Sequence, residues 1–123
     1  MAFPVDRPRR LRSSAPLRRL VAETRLSPAD FILPVFVKEG ISERAPIASM
    51  PGVFQHTLDS VRKAAVEAVA AGVGGLIVFG VPSVKDDRGS QADTVDGIGQ
   101  KTLAALVSEV GGDAVVMSDL CLD

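Results

Sequence analysis

Asp119, Cys121 and Asp123, at the end of this 123-residue sequence, have types and spacing suited to chemistry. They close the run Asp113-Ala-Val-Val-Met-Ser-Asp-Leu-Cys-Leu-Asp123, which reads as a β-strand. Strand side chains alternate between faces, so Val115, Met117, Asp119, Cys121 and Asp123 share one face. Val116, Ser118, Leu120 and Leu122 share the other. The first face begins apolar and turns to acid, thiol, acid. Carboxylates brought together this way are costly unless they bind something or stay solvated. Cys121 and Asp123 can also act as two metal ligands, with Leu122 pointing away. A catalytic zinc site needs at least one more ligand, and none lies nearby in sequence. The plainer alternatives are a buried, small apolar Cys121 and two solvated loop acids. Because the sequence stops on this cluster, the chain is expected to be a fragment cut at the edge of an active site.

Other candidates carry weaker signals. His56 is the single histidine and stands in a polar stretch before a predicted helix, which suits a surface or capping role. Lys38 and Lys85 follow predicted strands, and a desolvated lysine there could form a Schiff base. Nothing around them demands it, and a solvated or anion-contacting lysine explains them as well. Asp86 and Asp87 read as loop acids. No Walker pattern or dinucleotide glycine fingerprint follows any strand, which argues against nucleotide-binding functions.

The elements that must position these residues follow from pattern. Ser27-Pro-Ala-Asp30 suits a capped helical turn. Phe31–Val37 is an apolar run read as a buried strand, with a bulge or strand start expected at Pro34. A polar loop, Lys38 to His56, contains Met50-Pro-Gly52, suited to a type II turn. Leu58, Val61, Ala64, Ala65, Ala68 and Val69 fall on one helical face, with Thr57 as N-cap and Gly72 as the stop. Gly75–Phe79 is a second strand, and residues 80–97 form a long loop. Ile98, Leu103, Leu106, Val107 and Val110 mark a second helix, and residues 114 to about 122 a third strand. Strands apolar on both faces and alternating with helices imply a parallel sheet, either doubly wound or part of a (β/α)8 barrel. A whole barrel takes roughly 250 residues, so this chain would supply three strands and two helices of one.

The composition is globular, 46% hydrophobic and 24% charged, and the single cysteine fits a reducing compartment. No apolar stretch approaches the ~18 residues of a membrane span. Residues 1–25 hold seven arginines against Asp6 and Glu23, a net +5 that leaves −6 for the rest. Such an arm fits contact with an acidic partner, a solvated tail, nucleic-acid binding or targeting. The lack of interleaved aromatics counts against single-strand binding, and Pro4, Pro8, Pro16 and Asp6 against a transit peptide.

Several segments together resemble the N-terminal part of the 5-aminolevulinate dehydratase (porphobilinogen synthase) family. They are Arg7-Pro-Arg-Arg-Leu-Arg12, Phe31-Ile-Leu-Pro-Val-Phe-Val-Lys-Glu-Gly40, Pro46-Ile-Ala-Ser-Met-Pro-Gly52, Phe79-Gly-Val-Pro82 with Lys85-Asp86, Gly89-Ser90, Asp96-Gly97 and Ser118-Asp-Leu-Cys-Leu122. The resemblance implies the N-terminal part of a (β/α)8 barrel over residues 27–123, preceded by an extended basic arm over 1–26 that wraps a neighbouring subunit, usually in a homo-octamer. It implies condensation of two 5-aminolevulinate molecules to porphobilinogen with loss of two waters, in the cytoplasm, with no nucleic-acid or membrane partner. It makes Asp119 an active-site acid that orients substrate ammonium or assists proton transfer. Cys121 matches the first cysteine of the metal motif in zinc-dependent members. Asp123 departs from that motif and resembles members that lean on magnesium. The implied cofactor is therefore a divalent metal, zinc or magnesium, with its third ligand outside this chain. The family's two Schiff-base lysines match none of Lys38, Lys63, Lys85 or Lys101, so the chain alone is expected to be inactive. Two other readings remain: a non-catalytic α/β interaction module with a basic arm, and a different Schiff-base barrel such as a class I aldolase.

Overall fold

The computed structural model describes residues 9–120. A 3-10 turn at Arg10–Arg12 and a short helix α1 (Ala15–Leu20) come first, then a second 3-10 turn at Pro28–Asp30. The sheet strands are β1 (Ile32–Lys38), β2 (Ala45–Pro46), β3 (Phe54–His56), β4 (Gly75–Val81) and β5 (Val115–Ser118). Helix α2 (Leu58–Ala70) lies between β3 and β4, and α3 (Ile98–Val110) between β4 and β5.

Local chemistry accounts for the element ends. Ser27 and Asp30 form a reciprocal capping box around the turn that feeds β1, and Thr57 and Ser60 do the same for α2. At Met50-Pro51-Gly52, Val53 N–H donates to the Met50 carbonyl at 3.0 Å and Gly52 takes φ +85°, which is the type II geometry.

The sheet order is β2-β3-β1-β4-β5, parallel throughout except for β2. Val35, Val37, Leu76 and Val78 on one face meet Val61, Ala65 and Ala68 of α2 and Ile98, Leu106 and Val110 of α3 in a single core. Both crossover helices therefore cover the same face and pack against one another. A doubly wound sheet would place helices on both faces. Here each βα unit adds the next strand at the same edge, β1 then β4 then β5, which is the winding of a barrel. The chain is an incomplete (β/α)8 barrel.

The opposite face is apolar as well. Phe36 and Phe79 stack across β1 and β4 with ring centroids 5.2 Å apart. Ile77 and Met117 lie half-buried on this face, and Ile32 and Val115 are exposed on it. Apolar side chains on the face away from the helices are what the packed interior of a barrel requires.

Several local expectations are corrected. The stretch 38–56 is not all loop: β3 joins β1 in parallel and β2 folds back on β3. Strands of two and three residues are too short to show a period. Their packing includes the Arg44 guanidinium, 4.4 Å from the Phe54 ring centre. Pro34 causes no bulge, because β1 pairs with β4 without a break from Ile32 to Lys38. On its other side β1 has a neighbour only from Phe36 onward, so the missing donor falls at an open edge. The arm is not uniformly extended, since α1 interrupts it. Ser14 caps α1 by accepting from Leu17 N–H at 3.3 Å, and Pro16 falls in the first turn, where no donor is needed. Among the described residues, regular pairing in the last strand covers Val115–Ser118, and Asp119 N–H also donates to the Val78 carbonyl at 3.1 Å.

Leu106 is fully buried between the sheet and α2. In the full-length protein Leu106→Ala is expected to lower stability by about 2–5 kcal/mol, read as a fall in the urea midpoint. An unchanged midpoint would remove α3 from the core.

Candidate active site at the strand ends

The parallel strands end together, and two loops rise beyond them. The register Val78↔Ser118, continued by the Asp119 N–H bond to Val78, places Asp119 beside Phe79. Asp119 thus stands in the same cross-strand row as the Phe36–Phe79 stack, on the barrel-interior face. The face assignment made from alternation holds for Val115, Met117 and Asp119, while Val116 packs on the helix-side core. The Asp119 carboxylate is exposed at the end of an apolar row. Cys121 and Asp123 lie outside the described residues. Among the described residues no three His, Cys, Asp or Glu side chains converge as a metal centre.

A cleft of about 690 Å³ runs from Ser118, Asp119 and Leu120 across to the loop between β4 and α3, with Lys85, Asp86 and Ser90 on the loop side. Its floor includes Val78, Ile98 and Leu103. Gly80 matters here, because a Cβ on it would meet the backbone N and Cα of Gly99 at 3.1 and 3.2 Å. The first turn of α3 can therefore sit directly against β4 and close the cleft floor.

The loop over the cleft is internally held. Asp86 Oδ1 accepts from Ser90 N–H at 3.0 Å and Arg88 N–H at 3.2 Å. The Ser90 bonds come first among the causes that hold the Asp86 carboxyl below its usual range. Thr94 Oγ1 donates to the Ser90 carbonyl at 2.7 Å, Gln100 Nε2 to the Ala92 carbonyl at 2.6 Å, and Arg88 pairs with Asp93 at 2.8 Å. Asp86 is thus more than a solvated acid: it organises the loop that carries Lys85. Lys38 faces a second, smaller cleft beside the N-terminus of α2, so the two lysines do not share a cavity.

Sequence reasoning did not single out Glu39 or Ser83. Glu39 Oε2 accepts from Ser83 N–H at 3.0 Å and from Ser83 Oγ at 2.8 Å. The backbone bond first, then the hydroxyl, lowers the Glu39 pKa. The partners are 44 residues apart in sequence, and only the β1–β4 register brings them together, so no local pattern could reveal the pair.

His56 stands one residue before Thr57, the N-cap of α2. Its Nδ1 lies 3.1 Å from Ser60 Oγ, in the capping box of α2. Partial burial, with the Arg44 charge adding to it, pulls the ring's pKa below its ordinary 6.5. The arrangement supports a structural histidine, away from Asp119.

The winding and the strand-end acid define a barrel of the (β/α)8 class with its site at the C-terminal rim of the strands. The sequence matches the family described as delta-aminolevulinic acid dehydratase over residues 5–123. Delta-aminolevulinic acid dehydratase of Streptomyces coelicolor is 59% identical over 124 residues, covering 99% of this chain and 38% of the relative. The enzymes of that name from Mycobacterium tuberculosis and Bacillus subtilis are 54% and 43% identical, covering 38% and 37% of their own lengths. A crystal structure of the Toxoplasma gondii dehydratase (porphobilinogen synthase) in complex with the reaction product porphobilinogen superposes with a TM-score of 0.79 at 28% identity, covering 95% of this chain and 33% of that one. The chain belongs to the delta-aminolevulinic acid dehydratase family, and it spans 38% of the length of the first of these relatives.

The lowered pKa of His56 has a definite sign. Stabilisation from the neutral ring is complete above the unfolded value near 6.5 and is lost as pH falls through the lower folded value. In the full-length protein the drop in unfolding midpoint between pH 7.5 and pH 5 should therefore be smaller for His56→Gln than for wild type. Equal drops would show that the ring is not held neutral.

Proposed function

We propose that this chain is part of a porphobilinogen synthase, a lyase that condenses two 5-aminolevulinate molecules to porphobilinogen with loss of two waters, in tetrapyrrole and heme synthesis. Family membership over nearly the whole chain supports this reading. The observation that carries it to a residue is the position of Asp119, an exposed carboxylate at a strand end on the interior face, next to the cleft. A carboxylate there can hold a substrate ammonium through charge-assisted hydrogen bonds and pass protons during carbinolamine and imine steps. The lysines that carry substrate in such chemistry lie outside this chain.

A divalent metal belongs to the same reading. Cys121 and Asp123 would supply a thiolate and a carboxylate, with a third ligand from elsewhere in the protein. The thiolate favours zinc, while the carboxylate also suits magnesium. A bound divalent ion would act as a Lewis acid toward substrate oxygen. The reading extends to a homo-octamer held by the arginine arm and to the cytoplasm. No described helix is long and apolar enough to cross a membrane.

In the full-length protein, Asp119→Ala is expected to cut porphobilinogen formation by roughly 10²–10⁴-fold while the oligomer keeps its size on gel filtration. Loss of the oligomer instead would give Asp119 a structural role. Treatment with a chelator should abolish turnover, and Cys121→Ala should raise the concentration of added metal needed to restore it. A colour assay on the 123-residue chain alone is expected to show no product; measurable turnover would overturn the placement of the catalytic lysines elsewhere.

A further inference from the structure

Glu39 lies one residue beyond β1, and Ser83 two residues beyond β4. The pairing Lys38↔Val81 sets these two strand ends side by side. Glu39 N–H extends the ladder by donating to the Val81 carbonyl at 2.9 Å. Its side chain then turns to Ser83, and a single oxygen, Oε2, accepts both the backbone N–H and the hydroxyl. Hydrogen bonds to an ionised carboxylate are among the stronger ones available. Burial does not force this contact, because the bonds lie at the protein surface.

The contact grips the loop at its root. Val84, Lys85 and Asp86, immediately after Ser83, line the cleft that ends at Asp119. Asp86 holds the middle of the same loop through Ser90 and Arg88. Asp86 keeps the loop in shape, and Glu39 ties that shape to the barrel strands.

We propose that Glu39 is a positioning residue for the active site: by clamping Ser83 it fixes the height of Lys85 and the loop over Asp119, and so supports substrate binding. This rests on the functional reading above. Glu39 itself does not touch the cleft that holds Asp119.

The test uses the full-length protein with Glu39→Ala, Ser83→Ala, the double variant and Ser83→Thr, which keeps the hydroxyl. Loss of the clamp should raise KM for 5-aminolevulinate about five- to tenfold, the scale of an ordinary net hydrogen bond at an exposed position, with kcat within about twofold. The double variant should be no worse than Glu39→Ala alone, because removing the carboxylate already breaks both bonds, whereas Ser83→Ala keeps its backbone N–H bond and should lose less. Ser83→Thr should stay close to wild type. Amide exchange in residues 82–92 should quicken in Glu39→Ala, with no change in α2. Additive losses, or unchanged KM and unchanged exchange, would overturn the proposal. A wild-type protein that makes no porphobilinogen would overturn the functional reading instead, and exchange in the loop would still decide whether the clamp operates.

Discussion

The unbroken parallel register between β1 and β4 is the constraint on which the rest of the molecule depends. It runs from Ile32↔Gly75 to Lys38↔Val81 and fixes two faces at once. On one side it aligns Val35 with Val78 to receive α2 and α3. On the other it brings Phe36 against Phe79 and sets the row that Asp119 extends. A slip of one residue would exchange these faces, burying Phe79 under the helices and turning Asp119 away from the interior. The same register sets Glu39 beside Ser83, so loop placement and core packing share one origin.

Polar chemistry is segregated accordingly. The strand bodies are apolar on both faces, and charged or hydroxyl side chains collect where the strands end. Among the described residues no buried side-chain polar atom lacks a partner. The buried Thr102 hydroxyl, for example, donates to the Ile98 carbonyl at 2.7 Å. Interior polar groups are thus satisfied locally, without drawing on the acids at the C-terminal rim. The lowered pKa values of Glu39 and Asp86 come chiefly from hydrogen bonds to loop donors. These two acids are committed to holding loops, whereas Asp119 stands at the edge of the cleft, on the barrel-interior face.

Much of the frame was legible in the sequence, because the information there is local. The capped turn at Ser27, the Thr57 cap and the Met50-Pro51-Gly52 turn each depend on residues within three or four positions of one another. The long apolar segments carried enough repeats to show their period, and the alternation in Val115–Asp119 was sufficient to place Asp119 on the face of Val115 and Met117. The strands β2 and β3 escaped because two or three residues show no period, and α1 escaped because Pro16 read as a helix breaker when counted without its position.

Sequence alone determined the types of the longer elements, the face that Asp119 shares with Val115 and Met117, and the family resemblance, since these reside in spacing and in short motifs. It left the choice between a doubly wound sheet and a barrel open, because alternating strands and helices satisfy both. Tertiary structure decided that choice by packing α2 and α3 on one face of the sheet. It also decided the partners of Glu39, Asp86 and His56. Glu39 and Ser83 show the reason most plainly: their contact joins positions 44 residues apart, and only strand pairing brings such distant residues within hydrogen-bonding reach.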